Sequence, residues 1–138
     1  MDNKQFYHTR LDLNMKVIGK NPPREFEVGF EYKRIIKDCG TIEIDTDEQV
    51  TFTTKSGGEY DVTRKEWGFY MGPSLNGRLF SFKLHPVLVK NRLNRFFMLL
   101  VEAGFEESFQ KYIKEEQLSI VSRMHTDDVL EKLERNAK

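Results

Sequence analysis

The segment from Arg64 to Arg78 reads Arg-Lys-Glu-Trp-Gly-Phe-Tyr-Met-Gly-Pro-Ser-Leu-Asn-Gly-Arg, and it gathers the single tryptophan, two further aromatics and three glycines around a loop. Aromatic faces beside a polar loop suit a sugar or nucleotide ring, because they offer apolar stacking area next to a few donors that fix orientation. Ser74, Asn76 and the amides around Gly77 can present such donors, and Arg78 adds a forked cation that matches a phosphate or carboxylate. Trp67, Tyr70, Ser74, Asn76, Gly77, Arg78 and His85 are therefore the candidate ligand-binding residues. By themselves Trp67, Phe69 and Met71 read rather as the core side of a strand, in which case only the loop would face a ligand. The spacing is not that of a P-loop, which needs Gly, four residues, then Gly-Lys and Ser or Thr opening a helix. An apolar strand over Leu79–Leu84 is expected to follow instead.

Acid–base and nucleophilic chemistry has fewer candidates. His85, before Pro86 in a basic stretch, is the histidine best placed to move a proton, while His8 and His125 fall in expected flanking segments. None of them has a metal-ligand spacing such as His-Glu-x-x-His, so no metal and no cofactor are expected. Carboxylates group at Asp45/Asp47/Glu48 and at Glu59/Asp61, which by itself is a common arrangement. No Ser or Cys has the neighbouring His and acid of an activated nucleophile. Cys39 has no second cysteine to pair with and reads as a small structural residue beside Gly40. Whether the chain is an enzyme stays open on these residues. Arg78, Lys83, Lys90, Arg92 and Arg95 interleave with Phe80, Phe82, Phe96 and Phe97, a superficial likeness to a single-strand stacking platform. Yet Lys90, Arg92 and Arg95 flank an expected hairpin turn, where charges are ordinarily solvated, and the phenylalanines alternate as core residues do. Nucleic acid is not the expected partner.

These side chains need elements to hold them. Leu11, Leu13, Met15 and Val17 alternate with polar residues, the period of a half-buried strand. Asn21-Pro22-Pro23 is expected to turn the chain, because each proline fixes its own φ and restricts its predecessor. Phe26, Val28 and Phe30 alternate again, and a short strand is expected over Thr41–Ile44. Two hairpins follow. Gln49–Thr54 and Glu59–Arg64 flank Lys55-Ser56-Gly57-Gly58, with Val50 and Phe52 sharing a face with Tyr60 and Val62. Leu84–Lys90 and Arg95–Val101 flank Asn91-Arg92-Leu93-Asn94, and the unbroken apolarity of the second arm predicts a central strand covered on both faces. Phe105, Phe109, Tyr112 and Ile113 form one stripe of an amphipathic helix that should pack on the sheet. A short strand is expected at Leu118, Ile120 and Val121, and Thr126-Asp127-Asp128 has the oxygen cap and early acid of a helix start. That last helix has only Val129, Leu130 and Leu133 to bury, so its docking is expected to be weak or supplied by a partner.

At the scale of the chain, 138 residues with 12% aromatics and 32% charged side chains are enough for one domain, 1–138, with 1–10 and 125–138 flexible or docked on a partner. The 22 basic and 22 acidic side chains cancel, which argues against a protein that wraps nucleic acid or coats an anionic membrane. The cancellation is not local. From Met1 to Gly58 there are 9 basic and 10 acidic residues, from Glu59 to Arg95 7 and 3, and from Phe96 to Lys138 6 and 9. The positive third holds the aromatic and glycine-rich loop. The polar, mixed-charge start lacks the pattern of a secretory signal, and Phe96–Val101, the longest apolar run, is far short of the roughly 20 residues of a membrane span. A cytoplasmic location and no membrane partner are expected.

The runs Asp47-Glu48-Gln49-Val50-Thr51-Phe52, Glu59-Tyr60-Asp61-Val62, Lys65-Glu66-Trp67-Gly68-Phe69-Tyr70 and Pro73-Ser74-Leu75-Asn76-Gly77-Arg78-Leu79 resemble a family of small uncharacterised bacterial proteins associated with surface-sugar biosynthesis loci. The resemblance covers about Thr41–Tyr112 and transfers no activity or catalytic residue, but it implies a sugar-related role. The patterning predicts an α+β fold: a mainly antiparallel sheet, curved toward a partial barrel, with one packed amphipathic helix and a short C-terminal helix. The expected function is a non-catalytic ligand-binding or accessory protein in carbohydrate or cell-envelope metabolism, taking a small anionic sugar or nucleotide-sugar. The alternatives are a small enzyme on such a ligand, with Arg78 holding the anion and His85, Glu66 or Asp61 moving protons, and a protein-interaction module or homodimer.

Overall fold

The computed structural model describes residues 15–138. Strands β1 (Lys16–Val28) and β2 (Arg34–Glu43) pair as a two-stranded ribbon. A second sheet has the order β3 (Gln49–Thr53), β4 (Glu59–Lys65), β5 (Gly68–Met71). A short helical turn, α1 (Arg78–Ser81), leads into β6 (Leu84–Lys90), β7 (Phe96–Glu102), α2 (Glu106–Glu116) and β8 (Ser119–Arg123), and α3 (Asp127–Asn136) follows. The third sheet is ordered β7-β6-β8. Every strand pair is antiparallel. The fold is α+β and mainly antiparallel, as the patterning predicts, but among the described residues the strands form three sheets rather than one curved sheet, and no barrel closes.

The core lies where α2 packs on the third sheet. Val87, Val89, Val101 and Phe109 are buried together, with Leu99, Ile113 and Leu118 against them. The stripe read from the sequence is the one used, although Phe105 and Tyr112 at its edges stay 45% and 40% exposed. Glu106 and Glu107 complement the positive end of α2, and Gln117 ends it in the left-handed conformation, with the Leu118 amide donating to the Ile113 carbonyl. At α3 the Thr126 hydroxyl accepts from the Val129 amide, the expected cap, and no residue of that helix is buried.

Four local expectations need correction. The alternation at Leu11 and Leu13 lies outside the described residues, and beyond it Asn21-Pro22-Pro23 does not end a strand. β1 runs through it as an irregularity between the Gly19↔Gly40 and Arg24↔Asp38 pairs. A bulge frees the proline nitrogens from donating to the ladder, which is the condition on which strands accept proline. The strand expected over Leu79–Leu84 is a helical turn up to Ser81. Ser74 accepts three amides there, Arg78 on its hydroxyl at 2.9 Å and Gly77 and Leu79 on its carbonyl at 3.3 and 3.1 Å, and this curls the chain. Leu79 is fully buried while Phe80 is 72% exposed, so these phenylalanines do not alternate into a core. Finally, β7 is an edge strand. After α2 the chain returns to the far side of β6, which makes β6 the central strand and leaves Phe96, Phe97 and Met98 57%, 49% and 48% exposed.

Side chains tie the sheets together. The Glu102 carboxylate, at the end of β7, accepts from the Thr54 and Ser56 hydroxyls at 2.9 and 2.6 Å, joining the third sheet to the β3–β4 turn. The Ser56 hydroxyl is the main reason this carboxyl is held below its ordinary pKa. The ribbon is fixed at its turn. There Arg34 pairs with Glu115 and Glu116 on α2, the Phe30 amide donates to Glu116, and the Arg92 guanidinium lies 3.9 Å from the centre of the Phe30 ring. Among the described residues no helix is long and apolar enough to cross a membrane.

Candidate functional site

The site is set by the register of the second sheet. Val50 faces Val62 and Phe52 faces Tyr60, as the hairpin reading predicts, so the alternate residues Gln49, Thr51, Asp61 and Thr63 share the other, polar face. Tyr70 stands opposite Thr63 in β5 and joins that face. The loop after β5 then folds back over it. Gly72 has φ +61, and a Cβ there would lie 2.5 Å from the Tyr60 ring, so only glycine lets the loop pass. The resulting burial raises the pKa of the Tyr60 phenol. Gly77 serves the same turn, since a Cβ would come within 2.7 Å of the Ser74 hydroxyl that holds the Arg78 amide.

These features enclose a concavity of about 200 Å³ lined by Gln49, Asp61, Thr63, Tyr70, Gly72, Pro73, Ser74 and Arg78. Thr63 donates to the Gln49 side-chain carbonyl oxygen at 3.1 Å, the Gln49 amide hydrogens have no acceptor among the described residues, and Thr51 donates to Asp61 at 2.7 Å. The Arg78 guanidinium lies 5.2 Å from the centre of the Phe82 ring, and among the described residues no carboxylate comes within ion-pair distance of it. A forked cation without an ion-pair partner, a tyrosine and several hydroxyl or amide groups thus converge on one small volume. Such a set can hold an anionic group at Arg78 while the uncharged groups exchange hydrogen bonds with a polyol.

Of the residues singled out in the sequence, Tyr70, Ser74 and Arg78 line this concavity and Gly77 shapes its loop. The others lie elsewhere. Trp67 occupies the two-residue turn between β4 and β5 and is 73% exposed, with Phe69 and Met71 at 54% and 63%, so none of them is core. Asn76 donates to Asp127 at 2.8 Å and thereby fastens the loop to the start of α3. Gln49 and Thr63 were not legible as site residues singly, but their cross-strand pairing and polar alternation are the signal that marks them. Asp61, one of the proton-moving candidates, does share the concavity with Arg78, whereas Glu66 does not.

His85 belongs to a separate cluster on the third sheet. Its ring lies 5.1 Å from that of His125, which is therefore packed and not merely flanking, and its Nε2 lies 3.1 Å from an Arg123 guanidinium nitrogen. Because a guanidinium can only donate, Nε2 is the acceptor and the ring is neutral. Burial, then His125 and Arg123, lower the His85 pKa, and the Arg123 hydrogen bond likewise lowers that of Glu106. A second, more apolar cavity of about 340 Å³ lies where Phe30 of the ribbon turn meets Leu93, Phe97, Leu99 and Tyr112. No sequence pattern marked it, because its walls come from the ribbon turn, β6, the turn after it, β7, α2 and the link to β8. Among the described residues no group of three or more His, Cys, Asp or Glu side chains could hold a metal ion. Comparison of the chain with protein-family models, curated proteins and solved structures found no match in any of the three.

Proposed function

We propose that this chain is a ligand-binding or accessory protein in carbohydrate or cell-envelope metabolism, which holds a small anionic sugar at the concavity between the second sheet and the Gly72–Arg78 loop. The observation that carries this reading is Arg78, free of any described carboxylate partner, in one small volume with Tyr70, Ser74, Thr63, Asp61 and Gln49. A volume of about 200 Å³ suits a single sugar ring with its phosphate or carboxylate, so a nucleotide-sugar would leave its base outside. The sugar-related resemblance of the Thr41–Tyr112 block points the same way.

The test is a chemical-shift titration of the labelled chain with glucose 1-phosphate, glucuronate, uridine diphosphate glucose, inorganic phosphate and neutral glucose at millimolar concentration. The anionic sugars are expected to move the Tyr70–Arg78 amides more than glucose or phosphate does. Loss of a charge-assisted contact is worth about 1.5–3 kcal/mol, so Arg78→Ala should weaken binding about 10- to 150-fold. No shift at these amides with any anionic sugar would end the proposal. A second reading, a small enzyme, is favoured by one observation, that Asp61 lines the same concavity as Arg78. Phosphorus spectra of the same samples decide between them: turnover that Asp61→Asn removes, with binding kept, would make the chain an enzyme.

A further inference from the structure

The outer edge of β7 is a candidate interface. Its inner side pairs with β6 over the whole strand without a register shift, from Leu84↔Glu102 to Lys90↔Phe96. Its outer side has no backbone partner among the described residues. Proteins normally protect such an edge with a proline, a lysine, a bulge or a covering segment, since a bare edge templates pairing with another chain. β7, reading Phe-Phe-Met-Leu-Leu-Val-Glu, has no proline, lysine or bulge, and no described segment pairs with its outer side. Along the edge runs an open groove of about 380 Å³ lined by Leu99, Val101, Glu102, Phe105, Phe109 and Tyr112.

Surface area points to a partner. The chain exposes 10715 Å², whereas a compact monomer of its mass exposes ~7,500 Å². Compact packing of residues 15–138 would leave ~6,900 Å², and residues 1–14 could add at most ~2,500 Å² even as bare extended chain. More than ~1,000 Å² of surplus therefore belongs to the described residues. That is about what each chain contributes to a stable homodimer interface.

We infer that β7 pairs antiparallel with β7 of a second copy, about a two-fold axis through Leu99 and perpendicular to the sheet. The edge is self-complementary in this register. Residues equidistant from Leu99 meet, so Phe97 faces Val101, Met98 faces Leu100 and Phe96 faces Glu102 of the second copy. Each pair has like parity, so the side that carries α2 continues into the side that carries α2 of the other chain. Arg95 just before the strand then comes opposite Ala103 of the second copy, at both ends of the interface. The result is a continuous six-stranded sheet whose joint closes the groove over Phe105 and Tyr112 from both chains.

Sedimentation or light scattering of the full chain from about 1 to 100 μM tests this. The expected species has twice the 16.3 kDa of one chain. Met98→Lys and Phe96→Lys change exposed side chains on the face opposite α2, and each should raise the dimer dissociation constant at least ~100-fold while circular dichroism stays unchanged. Amide exchange supplies a readout on the unmodified chain: alternate amides in Phe96–Val101 should gain protection as concentration rises. A monomer throughout this range overturns the inference, as does a dimer that both lysine variants leave intact or one without added protection in β7.

Discussion

Arg78 and His85 both stood out in the sequence as functional residues, and they meet different fates in the fold. Arg78 has no carboxylate within ion-pair distance among the described residues: Asp61, in the same concavity, accepts from Thr51, and Asp127 accepts from Asn76. His85 is instead absorbed by Glu106 of α2, Arg123 of β8 and His125, and its lowered pKa makes a definite prediction. As pH falls through about 6.5, the unfolded chain takes up its proton before the folded chain does. Stability contributed by the neutral ring is present above that pH and is lost below it, down to the folded-state midpoint. The lowered pKa of Glu106 extends the loss to more acid conditions. Thermal melts between about pH 7.5 and 5.5 should therefore fall more steeply for the wild type than for His85→Gln. A His85 proton-resonance titration with its midpoint above that of free histidine would refute this, because the Glu106 carboxylate would then dominate. Residue types alone singled out Tyr70, Ser74 and Arg78, which line one concavity, together with Trp67, which lies outside it. They did not expose Gln49 and Thr63, ordinary strand residues whose role exists only through cross-strand register.

Among the elements, the hairpins and α2 were legible because each carries its own signal: glycines or asparagines at the turns, and one apolar stripe on the helix. The errors came where tertiary context overrode local pattern. β1 accepts two prolines because its irregularity needs no donors there, and Leu79–Ser81 curls because Ser74 gathers its amides. β7 is apolar on successive residues and yet lies at an edge, since the order of strands depends on the path taken after α2. The ribbon shows a dependence that no local pattern contains. A two-stranded hairpin is marginal alone in water, and this one exposes Ile18, Ile35, Phe26 and Ile36 at 56%, 55%, 36% and 42%. Among the described residues its hold on the body lies at its turn, where Arg34 and Phe30 meet the end of α2, Arg92 lies on the Phe30 ring and Gln117 donates to Glu31. Glu116→Gln should cost about 1–3 kcal/mol locally and raise amide exchange over 16–43 well above that of β6. Exchange rising equally in both places would mean that ribbon and core unfold together.

For the whole molecule, even charge composition concealed how the thirds engage one another. Acid from the last third holds base from the first, Glu115 and Glu116 on Arg34, and so part of the apparent neutrality is structural pairing. The positive middle third contributes few of these bridges, Lys65 on Asp47 and His85 near Glu106, and Arg78 is in none of them among the described residues. What composition could not convey is how much apolar surface the fold leaves uncovered. Enough aromatics for a core do not all enter the core: the second sheet leaves Phe52, Phe69 and Met71 of its apolar face 53%, 54% and 63% exposed. Trp67 carries this furthest, at the tip of a two-residue turn. As the only indole in the chain, it makes the intrinsic fluorescence a poor witness to denaturation. Its emission should already match that of indole in water, barely changing through a urea transition that far-ultraviolet dichroism follows in full, and a large blue shift on folding would place a covering surface over that tip.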